Sequence, residues 1–392
     1  MPAVVIEADE RDWLSAMRRR IHQNPELGYA EEATSALVVE CLEGLGLTVR
    51  RWARTGVVAV MDGGRPGRTV MLRADMDALP VQEENTHDYR SENPGCMHAC
   101  GHDGHVAILL GVVRQMVRVQ EALAGRFVFV FQPAEEGGGG AEKMIAEGML
   151  DAYSPDVCAG LHLWSEAPTG EVLATPGAFM AATDHFRMRV QGKGGHGAVP
   201  HSSRDPIVAA ARMVTALQTV VSREVNPDDS AVLTIGRIQG GNAFNVIPDQ
   251  VELEGTVRTW SRDVQGAIRI AVERIVHGIA ESAGVTVEVE YRHVTIPTVN
   301  EAEQSERVRA LAETVAGAHL GDPGFRTMAG EDMAFFLEKV PGVFFFLGAG
   351  NPAVGAEFPH HHPRFEIDEA ALPIGVELLT LHAWELGELS VA

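Results

Sequence analysis

The sequence predicts an α/β protein: a discontinuous α/β domain on a mixed, mostly parallel sheet, with an inserted ferredoxin-like domain of βαββαβ order. Three observations carry this. Nearly continuous apolar runs such as residues 126–131 alternate with helical patterns in the first and last parts of the chain, as strands covered on both faces by helices do. Between them, from 183 to 295, strands alternate polar and apolar residues, the pattern of a half-solvated antiparallel sheet. At 392 residues the chain exceeds one comfortable hydrophobic core. The expected domains are therefore 1–182 with 296–392, and 183–295.

Taken in order, residues 11–21 read as a helix broken by Pro25 and Gly28, and 31–45 as a second helix closed by Gly46. Apolar runs at 56–61 and 69–72 read as strands, the second delivering Asp75 and Asp77 at its C-terminal end. A helix is expected over 102–120, a buried strand over 126–131, a helix near 141–147, and a strand over 157–161 that ends at His162. The middle of the chain gives strands at 184–191, 231–238, 250–259 and 285–293 around helices at 205–221 and 261–283, which is the βαββαβ order. A last apolar strand, 342–347, precedes a loop with His360, His361 and His362.

Composition narrows the function. With 45% hydrophobic and 22% charged residues the chain reads as globular, and no apolar stretch is long and charge-free enough to span a bilayer. Its start carries acids where a secretory signal needs a basic start and an apolar run. Four cysteines suit a reducing compartment, so a cytoplasmic location is expected. A net charge of −22 argues against nucleic acid as a partner, because phosphate contacts need a basic surface.

The chemistry centres on residues 96–105, which hold two thiols, three imidazoles and a carboxylate. Cys100 and His102 flank a glycine that lets the backbone turn until thiolate and imidazole meet at one ion. Further donors are one of Glu135 and Glu136, His162, and a histidine of the 360–362 cluster. Each lies at or beyond the C-terminal end of an expected strand or at a helix entrance, the edge where open α/β sheets form active sites. Thiolate and imidazoles favour zinc, while carboxylate and water leave room for manganese or cobalt. Adjacent acids in extended backbone point in opposite directions, so one of the pair is expected to ligate and the other to act as general base. In the inserted domain, His196 in a glycine-rich loop suits donation to an oxyanion, and Arg258 suits a substrate carboxylate or, alternatively, Glu252 or Glu254 on its own strand.

Together MHACGHDGH, FQPAEEG, GLHLW, GKGGHGAVPH, GGNAFNVIPD, GEDMAFF and HHHPRF resemble the amidohydrolase branch of the metallo-aminoacylase and carboxypeptidase superfamily. That branch includes hippurate hydrolases, N-acyl-L-amino-acid amidohydrolases and auxin-conjugate hydrolases. The resemblance implies a dinuclear hydrolase with two divalent ions, cleaving an N-acyl amino acid to a carboxylate and a free amino acid. Carried over motif by motif, it implies Cys100, His102, Glu136, His162 and His361 as ligands and Glu135 as general base. It further implies His196 as the group that polarises the scissile carbonyl, Asn245 and Arg258 as substrate-binding residues, and Asp77 as a support behind the ligands. The inserted domain becomes a lid through which a homodimer or higher oligomer forms. Dipeptides or succinylated diamines are alternative substrates within the superfamily. Two readings compete from outside it: Cys100 as a nucleophile activated by a nearby His, and a metal- or peptide-binding protein with no turnover.

Overall fold

The computed structural model describes residues 6–389. The chain forms two compact units, one of residues up to Phe179, Val299–Arg326 and from Asp332 onward, the other of Met180–Thr298 and Thr327–Glu331. The first unit opens with helices α1 (Ala8–Gln23) and α2 (Glu32–Gly44) and strands β1 (Thr48–Trp52), β2 (Gly56–Asp62) and β3 (Arg65–Asp75). Helix α3 (His102–Arg118), strand β4 (Ala124–Gln132), helix α4 (Gly140–Ala146) and strands β5 (Val157–Pro168) and β6 (Glu171–Leu173) follow. The second unit contributes β7 (Ala182–Gln191), α5 (Pro206–Thr219), β8 (Ala231–Gly240), β9 (Gln250–Thr259), α6 (Arg262–Ala283) and β10 (Thr286–Thr295). The chain then returns to the first unit for β11 (His319–Leu320), β12 (Gly342–Gly350) and α7 (Ala371–Glu388).

The first unit is built on an eight-stranded mixed sheet in the order β1-β2-β4-β3-β5-β12-β6-β11. Its centre is parallel across β4, β3, β5 and β12, and antiparallel pairs join β1 to β2, β2 to β4 and β12 to β6. In β4 both alternating sets, Phe127, Phe129 and Phe131 on one face and Val128 and Val130 on the other, are fully buried. A central strand covered on both sides reads as an unbroken apolar run for this reason. Helix α3 is apolar nearly all round because α1 and α7 pack against it over the sheet.

One expectation fails here. Strand β5 does not stop at His162 but runs on to Pro168, because β12 keeps pairing beyond it, Leu347 with Leu163 and Gly348 with Trp164. His162 is thus anchored inside a ladder rather than placed on a loop.

The second unit has the βαββαβ order, with an antiparallel sheet β8-β9-β7-β10. Phe186, Met188, Val190 and Leu253 form a core with Ala209 and Met213 of α5 and Ile268 and Val272 of α6. The opposite face carries the polar half of each alternation, including the Arg187–Glu252 pair at 2.9 Å. Asp205 caps α5 by accepting from the Ile207 N–H, and Ser261 caps α6 by accepting from the Asp263 N–H. Among the described residues no helix is long and apolar enough to cross a membrane.

Candidate metal centre

The parallel strands of the first unit bring scattered polar groups to one region. Asp75 ends β3 and Asp77 follows it, Glu135 and Glu136 follow β4, His162 lies in β5, and Cys100 and His102 stand at the entrance of α3. Gly101 between them has φ +88°, a left-handed conformation that favours glycine and lets the two neighbours face the same space. His361 follows β12 and itself holds φ +67°, with its N–H donating to the Ala99 carbonyl at 2.7 Å. A non-glycine residue held there costs about 1–3 kcal/mol and persists only where the surroundings fix it.

Side-chain geometry connects these groups. Cys100 Sγ lies 3.5 Å from His162 Nε2. One donor atom each from Cys100, His102 and His162 lie within 4.8 Å of one another, and the same holds for Cys100, Glu136 and His361. Glu136 Oε1 is 3.9 Å from His102 Nε2 and 3.4 Å from His361 Nε2, so the two groups meet at Glu136 and Cys100.

Tautomers are set by acceptors the chain supplies. His162 Nδ1–H donates to the Leu163 carbonyl at 2.7 Å, which leaves Nε2 as a lone pair facing Cys100. His105 is different: its Nδ1–H donates to Asp75 at 2.6 Å and its Nε2 accepts from the Leu163 N–H at 2.9 Å. Both of its nitrogens are committed to the protein, so His105 orients neighbours.

The acidic pair departs from the sequence reading. Glu135 and Glu136 sit on a turn, not in extended backbone, and donor atoms of both lie within 4.8 Å of one another and of a His102 nitrogen. They therefore do not point in opposite directions. Ala134 enters the turn at φ +53°, its N–H donating to buried Glu31 at 2.8 Å. Asp77 accepts the N–H groups of Glu135 and Glu136, each at 3.0 Å, through its two oxygens, and Oδ1 is also 3.4 Å from His102 Nδ1. Gly140 closes the turn where a Cβ would stand 1.7 Å from the Pro133 oxygen.

Two features test whether a cation fits. Both ring nitrogens of His102 and Glu136 Oε1 are closed from water and make no hydrogen bond. Such buried orphans are costly unless something pairs with them. The electrostatics agree. Burial and the carboxylates of Glu136, Glu135 and Asp75 push the Cys100 thiol well above its ordinary range. Burial opposes a charge on His102, but Asp75, Asp77 and Glu136 outweigh it and push the imidazole up to about 10. The carboxylates that raise Cys100 and His102 are the charge that divalent cations would neutralise as they displace those two protons, while burial keeps His162 neutral and ready to ligate. The residues fit such ions.

His360 was not singled out from the three-histidine cluster by sequence. Its Nε2 accepts from the Ser165 N–H at 3.2 Å, so its proton sits on Nδ1, 3.8 Å from Cys100 Sγ. The ring is wedged between Trp164 and Phe365, with centroids at 4.6 and 4.9 Å. The repeated His360-His361-His362 gave no signal for which neighbour faces the sulfur.

His196, Asn245 and Arg258 belong to the second unit. His196 pairs with Val246 in a two-residue ladder beside Asn245. Its Nδ1 accepts from the Ala198 N–H at 3.0 Å, leaving Nε2 to carry the proton, and the residue is exposed. Arg258 donates to the carbonyls of Met328 at 3.2 Å and Val257 at 3.1 Å, and to the Thr256 hydroxyl. Among the described residues no carboxylate lies within ion-pairing distance of it, since Glu252 and Glu254 are engaged by Arg187, Arg189 and Arg237.

The fold and the donor set define a metal-dependent hydrolase. The chain belongs to the Peptidase family M20/M25/M40, whose model matches residues 71–384. It is 45% identical over 309 residues to the N-acyl-L-amino acid amidohydrolase of Geobacillus stearothermophilus, covering 77% of this chain and 83% of that one. It is 41% identical over 360 residues to the N-acetyl-L-cysteine deacetylase of Bacillus subtilis (strain 168), covering 92% and 84%. Among solved structures, the Bacillus subtilis YxeP protein, a dinuclear metal-binding peptidase of the M20 family, superposes with a TM-score of 0.84 at 31% identity, covering 97% and 99%.

Proposed function

We propose that this protein hydrolyses the amide bond of N-acyl amino acids, giving a carboxylate and a free amino acid. The observation that supports it most is the meeting of Cys100, His102, Glu136, His162 and His361, with orphaned buried donors, beside a second carboxylate, Glu135. Those five side chains would hold two divalent ions, zinc or alternatively manganese or cobalt. When bound, such ions supply Lewis acidity to the attacking water and the scissile carbonyl.

The chain's own residues do the rest. Glu135 takes a proton from water as its oxygen bonds the carbonyl carbon, then passes that proton to the nitrogen as the C–N bond breaks. His196, with its proton on Nε2, donates to the oxyanion that forms. Asn245 grips the substrate, and Arg258 clamps its carboxylate, a role supported by the lack, among the described residues, of a carboxylate in ion-pair contact with it, Asp184 of β7 acting on it only through its field. Asp77 holds the backbone of both acids. We further infer a homodimer or higher oligomer through the second unit, whose edge strand β8 exposes Val232 and Ile238. Four free cysteines support a cytoplasmic location.

The test is a panel of acetyl, benzoyl, lauroyl and indole-acetyl amino acids, with dipeptides and succinylated diamines alongside, assayed with each metal. Wild type is expected to cleave N-acyl amino acids fastest, and Glu135→Gln to lose hydrolysis while keeping its metal. Unchanged turnover in Glu135→Gln would remove it as base, and activity that survives chelation would favour a cysteine nucleophile.

A further inference from the structure

A second convergence of imidazoles and carboxylates lies in the first unit, outside the cluster around Cys100. His22 is in the last turn of α1, Glu83 and His87 lie on the segment between β3 and α3, and Glu366 precedes α7. His22 Nε2 is 3.2 Å from Glu83 Oε1, His87 Nε2 is 3.4 Å from that same oxygen, and His87 Nε2 is 3.0 Å from Glu366 Oε2. Donor atoms of His22, Glu83 and His87 lie within 4.8 Å of one another. We propose that His22, Glu83, His87 and Glu366 form a further divalent cation site, of zinc type, that pins three distant segments of the first unit together.

The spacing admits a shared ion as well as direct pairing. Charge-assisted hydrogen bonds settle at about 2.7–2.9 Å. Donors at the corners of a tetrahedron around zinc, with bonds of about 2.0–2.2 Å, stand about 3.3–3.6 Å apart. His87 Nε2 and Glu83 Oε1, at 3.4 Å, match that edge, while His22 Nε2 at 3.2 Å from the same oxygen also lies within hydrogen-bond reach and His87 Nε2 at 3.0 Å from Glu366 Oε2 is shorter. His87 adds a stronger sign: both its ring nitrogens are closed from water and make no hydrogen bond, although two carboxylates lie beside Nε2. Its ring plane is fixed by stacking on Tyr89, centroids 3.8 Å apart. Glu83 Oε1 also accepts from Asn85 Nδ2 and Glu366 Oε2 from the Tyr89 hydroxyl, each at 3.1 Å, so the group left without a partner is the His87 ring, which with its lone pair on Nε2 would meet a cation shared with these oxygens.

Orientation and charge point the same way. His22 Nδ1 is 2.8 Å from Asp103 Oδ2, so the carboxylate fixes the proton there and turns Nε2 toward Glu83, the arrangement that supports metal-bound imidazoles. Four carboxylates crowd this region, Glu83, Asp103, Glu366 and Glu369, against the two guanidinium groups of Arg18 and Arg19. Burial and Arg18 oppose a charge on His22, but Asp103 and Glu83 outweigh them and push the imidazole up to about 9, so one negative charge remains, and a divalent ion that displaces the His22 proton brings the sum to zero. The His87 side chain is 21% exposed, which gives an ion a way in without opening the core.

The experiment loads metal-free protein with zinc, dialyses it, and counts zinc per chain by mass spectrometry for wild type, His87→Ala, His87→Gln and Glu83→Gln, each checked for folding by circular dichroism. Each variant is expected to hold one equivalent less than wild type. A Cys100→Ala/His162→Ala double variant is expected to keep that equivalent and to bind cobalt without a thiolate charge-transfer band. Equal zinc in wild type and the folded His87 and Glu83 variants would overturn the site and leave protonated imidazoles balancing the charge. Loss of the thiolate band alone reports on the Cys100 cluster, so failure of either site is read separately.

Discussion

Replacing Asp77 with asparagine probes how the acidic turn is held. Asp77 is 1% exposed, and its two oxygens accept the N–H groups of Glu135 and Glu136 at 3.0 Å each. Asparagine keeps one acceptor but presents an NH2 group to the other N–H, so one charge-assisted bond is lost and the survivor becomes neutral. A hydrogen bond to a charged group contributes about 1.5–3 kcal/mol. At about 1.4 kcal/mol per tenfold, the turn's displacement should lower kcat roughly ten- to a hundredfold. The assay pairs kcat and KM on an acetyl amino acid with metal content. The account expects a fall in kcat at nearly unchanged KM, with weaker retention of metal. A variant with wild-type kcat and full metal would refute the argument that Asp77 places the acids.

Other outcomes follow from the same geometry. His360→Phe removes the Nδ1–H facing Cys100 Sγ and the acceptor for Ser165, and should weaken metal retention about tenfold and shift the cobalt–thiolate band; an unmoved band would separate His360 from the sulfur. Arg258→Lys loses the planar fork and should raise KM at least about tenfold with a smaller effect on kcat, and an unchanged KM would exclude Arg258 as the carboxylate clamp. Buried His382 has no hydrogen bond at either nitrogen, and burial, with Arg307 nearby, lowers its pKa to about 3. Between pH 6.5 and about 3 the unfolded chain binds a proton that the folded chain refuses, so stability falls as pH falls. In urea unfolding of metal-free protein, His382→Leu should lose about 2 kcal/mol less than wild type between pH 7 and pH 5, and parallel losses would contradict this.

Much of the fold is written locally. The apolar runs of β4 and β12, the left-handed Gly101 before α3, and the polar alternation of β7 and β9 each follow from short-range pattern. The motifs that resemble an amidohydrolase also sit on contiguous stretches. What eluded the sequence depends on partners far along the chain. His162 lies within a ladder only because β12, some 180 residues away by the paired positions of Phe346 and His162, keeps its register. The acidic pair turns toward His102 because Glu31 and Asp77 grip its backbone, and neither grip leaves a mark in PAEEG itself. The histidine cluster at 360–362 shows donor type but not direction, which the left-handed backbone at His361 decides.

The most direct test is anomalous diffraction at the zinc edge from crystals of the zinc-loaded protein. The account predicts two peaks among Cys100, His102, Glu136, His162 and His361, with Glu135 beside them and bonded to neither ion. A lone peak among these five side chains, or none bonded to the Cys100 sulfur, would contradict it.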